Sequence, residues 1–154
     1  SLLRDGRVLI AGGQGETAYL SSAEIYDPST GTWSAGARTN QARESHTATV
    51  LQDGRVLVVG GKVVSYLASA EVYDPPTDEW SETGAMAESR VFHTATLLDD
   101  GRVLVAGGKK AVAATLATAE LYDPSTGTWS QTASMAEARQ GMNVSAEVSE
   151  GSTK

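Results

Sequence analysis

Few residues in this 154-residue chain have the types and spacing of a catalytic centre. There is no Cys, which excludes thiolate nucleophiles, disulfides, Cys-ligated zinc and iron–sulfur clusters. The two histidines, His46 and His93, are the groups best suited to bind metal or move protons. They hold the same slot in two copies of a repeat and have no third partner, which favours a structural hydrogen bond within each unit. Arg43, Arg90 and Arg139 also recur at one slot. A ring of arginines could hold an anion or an acidic peptide. The competing expectation is that each ties adjacent units together through backbone carbonyls or a nearby Glu, with Glu44, Glu88 and Glu137 close by in sequence. Asp27, Asp74 and Asp123 each precede Pro in a turn, where Asp caps the backbone. No carboxylate pair departs from the repeat as a glycosidase site would require. Neither a G-x-G-x-x-G loop opening a helix nor a phosphate-binding G-x-x-x-x-G-K-[ST] loop is present. The expectation is therefore no catalytic residue, no metal site and no cofactor.

The elements that position these residues repeat three times. A Gly-Gly pair closes an apolar run at Gly12-Gly13, Gly60-Gly61 and Gly107-Gly108, in steps of 48 and 47. Glu-x-Tyr-Asp-Pro follows with Tyr26, Tyr73 and Tyr122, and a single Trp closes each unit at Trp33, Trp80 and Trp129. The Arg comes ten residues later each time, and Met142 takes the His slot in the third copy. Each unit reads as four antiparallel strands. In 93–130, His93–Leu98 is β-branched and apolar. Asp99-Asp100-Gly101 is a tight turn, and Arg102–Ala106 suits a strand covered on both faces. Ala119–Tyr122 alternates, Asp123–Gly127 is turn chemistry, and Thr128–Ser130 is a short outer strand. No window has helical periodicity. One such sheet cannot bury both its faces, whereas sheets stacked face to face around an axis can. The repeated Tyr and Trp are the right size to fill the space between them.

In this arrangement the loop after Gly-Gly and the loop between Trp and Arg share one face, and the Asp-Gly and Asp-Pro turns share the other. The turns are nearly identical in the three copies, while the loops diverge (QGETAYLSS, KVVSYLAS, KKAVAATLAT). Identical turns read as framework and divergent loops as a binding surface. Tyr19, Tyr66, Lys62, Lys109 and Lys110 are the principal candidates on that face, joined by Gln14, Glu16, Thr17, Arg38 and Asn40. This mixture suits contact with a protein or a glycan.

A net charge of −7 with dispersed basic residues argues against a nucleic-acid or anionic-membrane partner. No apolar run approaches the ~20 residues of a membrane-spanning helix.

The order of strand, Asp-Gly turn, apolar strand, Gly-Gly, long loop, Glu-x-Tyr-Asp-Pro, Trp and Arg resembles the kelch repeat over Ser1 to Val148. The resemblance implies an all-β propeller of four-stranded blades, three per chain, with repeats at about 1–45, 46–92 and 93–141. Kelch propellers serve many unrelated tasks, so the fold does not fix the function. Galactose oxidase is similar in its blades, but its copper chemistry depends on a Tyr–Cys cross-link, which a chain without Cys cannot form. Sialic-acid mutarotases are also kelch-like; an enzyme of that kind would use the Arg ring and the channel His.

The chain begins partway through a repeat, and residues 142–148 match the first part of an inner strand for a blade that does not follow. Three blades are half of a six-bladed ring, and propellers need about four to eight. Two expectations follow. Two copies close one ring, each lending 142–148 to the other's first blade, which removes open sheet edges. Alternatively, the chain is a piece of a longer propeller. A scaffold segment with no ligand of its own is a third reading.

Overall fold

The computed structural model describes residues 1–111 and 114–142. Among these, every regular element is a strand. The strands β1 (Val8–Ala11), β2 (Ala23–Asp27) and β3 (Thr32–Gly36) form a three-stranded antiparallel sheet, the first blade. β4 (Thr47–Val50), β5 (Val56–Val59), β6 (Ala70–Asp74) and β7 (Glu79–Thr83) form the second, four-stranded blade. β8 (Thr94–Leu97), β9 (Val103–Ala106), β12 (Ala119–Asp123) and β13 (Thr128–Thr132) form the third. The loop after Gly107-Gly108 folds into its own small hairpin, β10 (Lys109–Ala111) with β11 (Ala114–Thr115). Period and turn signals do not announce that hairpin, because a run rich in Ala fits helix, strand or loop equally well. The 142–148 segment expected to be a closing strand lies, apart from Met142, outside the described residues. Among the described residues, the inner edge of β1 meets only the bridge from Leu2 to Val8.

The turns form as their chemistry dictates. Asp53 Oδ1 accepts the Arg55 amide at 3.0 Å, and Gly54 takes φ of +94°. Asp27 Oδ1 accepts the Ser29 amide at 2.8 Å and the Ser29 hydroxyl at 2.6 Å. These contacts hold the Asp27 carboxyl below its ordinary range, the side-chain hydrogen bond being the larger cause. Asp-Gly and Asp-Pro turns thus fix the register of Val50 opposite Val56 and of Tyr73 opposite Trp80.

The core lies between blades. Leu3, Leu9, Ala23 and Ile25 of the first blade pack with Val56 and Tyr73 of the second. Leu51, Leu57, Val59, Val72 and Met86 pack with Val103, Val105 and Tyr122 of the third. All four residues of β5 are buried, as the apolar run predicts for the strand with a blade on each side. Within each blade the Tyr and Trp sit opposite each other, their rings 5.0 to 5.1 Å apart and tilted. Tyr73 and Tyr122 are buried in the inter-blade clusters, while Tyr26 of the first blade is only half-buried. Trp80 Nε1 donates to the Ala37 carbonyl at 2.9 Å and Trp129 Nε1 to the Gly84 carbonyl at 2.7 Å, each crossing to the preceding blade.

Candidate functional site

The Arg slot is the most elaborate polar feature of the chain. Arg43 leaves the loop after the first blade and runs into the second. Its guanidinium donates to the Gly60 carbonyl at 2.8 Å, to the Ser69 carbonyl at 3.3 Å and to Glu71 Oε1 at 2.8 Å. Arg90 repeats this on the third blade, donating to Gly107 O at 2.9 Å, Thr118 O at 2.9 Å, Thr118 Oγ1 at 2.9 Å and Glu120 Oε1 at 3.0 Å. Both arginines are 0% exposed. The second carboxylate oxygen of each Glu accepts a backbone amide from the same incoming loop, Asn40 at 2.7 Å and Ala87 at 2.7 Å. Arg43 and Arg90 therefore clamp neighbouring blades, and their terminal donors are spent on the next blade rather than offered to an anion. An Arg90→Ala variant consequently tests stability before it tests any ligand chemistry. Arg139 has a side chain 53% exposed and, among the described residues, pairs with Glu137 at 3.6 Å.

The partners of the clamp are the Glu residues of the Glu-x-Tyr-Asp-Pro string, not chiefly those next to the Arg in sequence. Glu88 does approach Arg90, at 3.5 Å, but it also accepts from the Thr118 hydroxyl and from Lys110 Nζ at 2.6 Å. Lys110 is the main cause of its lowered pKa. The signal for Glu71 and Glu120 was present in the sequence: a charged residue on an otherwise buried face of every copy, repeating in step with an Arg.

The glycine pairs are steric. Gly60 has φ of +65°, and a Cβ there would stand 2.5 Å from the Arg90 carbonyl. Gly61 has φ of +93°, and its Cβ would meet the Glu44 carbonyl of the preceding blade's loop at 2.6 Å. The pair thus lets the Arg loop of its own blade and that of the blade before it close on one point.

The two His lie on the inner strands' side of these clamps. Burial, and secondarily the neighbouring Arg, push each imidazole down to about 4, so both are neutral at pH 7. His93 Nε2 shares a hydrogen bond of 2.9 Å with Thr47 Oγ1 of the preceding blade, so the bond expected inside a unit instead joins two. The inner strands β4 and β8 stand side by side, which brings Thr47 of the second blade to His93 of the third. Both Nδ1 atoms are buried without a protein partner. No cluster of three or more His, Cys, Asp or Glu suited to a metal occurs among the described residues.

Of the expected loop-face residues, Gln14 stands beside Tyr19 and Lys62 beside Tyr66, while the Asn40 side chain donates to Glu71 Oε2 at 3.0 Å. Lys62 pairs with Glu44 at 3.1 Å, and the hydrogen bond to Glu44 raises its pKa. Backbone bridges join Glu44 to Lys62, Lys62 to Tyr66, Gln14 to Tyr19 and Val91 to Lys109. Tyr19, Tyr66 and Lys109 are half-buried, Lys110 is exposed, and Val64 at the tip of the second loop is 99% exposed. Concavities also open on the turn face. One of about 440 Å³ lies between Asp53 and Arg55 of the second blade and Asp100, Arg102 and Asp123 of the third. One of about 260 Å³ repeats the arrangement between the first and second blades. Arg7, Arg55 and Arg102 in these grooves are each tied to the Asp of their own turn, at 2.8 Å in Asp5–Arg7 and 2.7 Å in Asp53–Arg55 and Asp100–Arg102.

Among solved structures, the chain is similar to a fungal alcohol oxidase of the AA5 family, described as having catalytic diversity and solved in complex with copper. The TM-score is 0.66 at 25% identity, covering 84% of this chain. The chain spans 28% of that oxidase's length, so the likeness is to part of a larger protein. No curated protein matches the chain. The Kelch motif matches at residues 3–40, 45–87 and 90–136, one match per blade. With the motif covering most of its length three times over, the chain belongs to the kelch-repeat family.

Proposed function

We propose that the chain is a non-catalytic kelch module that binds a protein or glycan through its loop face and takes a second copy of itself as the partner that completes the ring. The observation that carries the binding half is the continuous rim made by loops of neighbouring blades. Glu44 meets Lys62 and Val91 meets Lys109 there, so residues from two divergent loops stand together over an invariant frame. Rigid strands presenting variable loops are the usual geometry of a recognition surface. The self-association half is supported by the first blade, whose sheet has three strands where the others have four. The sequence places a matching inner-strand string at 142–148.

The non-catalytic reading is supported by what the polar groups are already doing. Two of the three arginines required by a sugar-isomerising alternative, Arg43 and Arg90, are sealed between blades, and His93 is bound to Thr47. The likeness to a copper-bound oxidase does not supply the missing chemistry, since this chain has no Cys with which to form a Tyr–Cys cross-link.

Binding to glycan and peptide arrays tests this reading, using the full chain beside Tyr66→Ala and Arg102→Ala. Binding lost with Tyr66→Ala and kept with Arg102→Ala places the partner on the loop face. The reverse pattern transfers it to the turn-face grooves and overturns the proposal.

A further inference from the structure

The two ends of the half-ring present the unmatched halves of one junction. At both internal junctions the same parts recur: an Arg enters the next blade's glycine corner and Glu, a loop carbonyl lies over the second glycine, and the next blade's Trp returns a hydrogen bond. The third blade ends in the donor half. Arg139 is 53% exposed where Arg43 and Arg90 are sealed. The first blade carries the acceptor half. Glu24 is exposed where Glu71 and Glu120 are buried, and among the described residues it has no ion-pair partner. Ile10 is 49% exposed where its equivalents Val58 and Val105 are at 0%, and Trp33 is 55% exposed. A concavity of about 260 Å³ opens beside Ser22, Glu24 and Trp33. Gly13 has open space where Gly61 and Gly108 meet the loop of a preceding blade.

We infer that these halves pair between copies, head to tail, with two junctions per dimer. This rests on the self-association reading above and adds its direction and its residues. By the template of the two internal junctions, Arg139 of one copy donates to the Gly12 carbonyl, the Ser22 carbonyl and Glu24 of the other. Its Gln140 carbonyl covers Gly13, and its Ala133 carbonyl accepts from the other copy's Trp33. The charges are complementary: the open end of the third blade offers a cation and that of the first an anion. A face-to-face pairing of like ends would set Arg139 against Arg139, which electrostatic complementarity disfavours. A heterologous contact closes only if the rotation per blade divides the circle, and two chains of three blades close if that rotation is about a sixth of it.

The test is a charge exchange between two variants, Arg139→Glu and Glu24→Arg, read as mass by light scattering. Both sites are exposed in the single chain, so each variant keeps its fold, checked by circular dichroism. Alone, each variant sets like charges together at both junctions, and its dimer affinity falls at least about 30-fold per junction. Mixed in equal amounts, the two regain the dimer mass, because the mixed pair keeps one native junction and forms one reversed pair. Variants that dimerise like the wild type, or a mixture that stays monomeric, would overturn the junction while leaving self-association standing. A monomeric wild-type chain would overturn both.

Discussion

Replacing Arg90 with Ala exposes the physics of the blade junction. The side chain is sealed, and its guanidinium serves two carbonyls, one hydroxyl and the Glu120 carboxylate. Glu120 is 2% exposed, so the truncation leaves a charge in a site without water. Breaking a buried ion pair from one side costs about 3–5 kcal/mol, most of it the desolvation of the partner left behind. For a domain of this size that is a fall in melting temperature of about 6–20 °C. The paired control is Arg102→Ala at the surface, where both partners of Arg102–Asp100 are nearly half exposed. That change costs at most about 1 kcal/mol. A second change, Glu120→Gln in the Arg90→Ala background, removes the stranded charge and recovers about 1–2 kcal/mol. Urea unfolding followed by Trp fluorescence measures all four proteins at one fixed concentration. A loss below about 1 kcal/mol for Arg90→Ala, or no recovery in the double variant, would refute the clamp as the main polar tie between blades.

Three other outcomes follow from the same geometry. Because His46 and His93 have folded-state pKa values lowered to about 4, the unfolded chain takes up their protons first. Stability is therefore flat above about pH 6.5 and falls as pH drops from there toward 4, by up to about 3 kcal/mol for the buried His93 and by less for the partly exposed His46; His93→Gln should flatten the slope between pH 6.5 and 4.5 in denaturant titrations. Gly60→Ala should cost at least about 2 kcal/mol, since it combines a left-handed backbone with a 2.5 Å approach to the Arg90 carbonyl. Gly6→Ala, at φ of +87° with nothing within 4 Å, should cost only the ~1–2 kcal/mol of the backbone, and equal losses at the two sites would refute the close-approach argument. Ser45, held at φ of +54° in the slot that Gly141 fills in the third copy, should gain about 0.5–1 kcal/mol on Ser45→Gly, read as a higher urea midpoint.

The blade was legible because its signals are local. Asp-Gly turns, apolar runs and the Tyr and Trp spacing each depend on neighbours within a few residues, and repetition tripled every signal. The glycine pairs could be read as places of close approach, but what approaches them could not, because the contacts come from loops some 30 residues on and from the preceding blade. In sequence the Arg slot fits either a clamp or an anion site, and what separates the two is burial, a property of the assembled blades. Its partners are Glu71 and Glu120 rather than the adjacent Glu44 and Glu88, since sequence proximity is a poor guide across a junction. His93 shows the same lesson: its partner Thr47 lies one repeat earlier, in a strand that only the packing of neighbouring blades brings alongside. The repeat phase marks where the blades are incomplete, but not which side chains that leaves exposed. Glu24 and Glu71 are the same residue in the same string, and only the presence of a preceding blade makes one exposed and the other buried.

Sedimentation equilibrium of the full chain over a wide concentration range tests the central claim most directly, because it weighs the assembly and reports whether growth stops. Two half-rings joined head to tail predict a single species of twice 16.0 kDa, with no larger polymer as concentration rises. A folded species of 16.0 kDa throughout, or a series that lengthens without limit, would contradict closure of the ring by two copies.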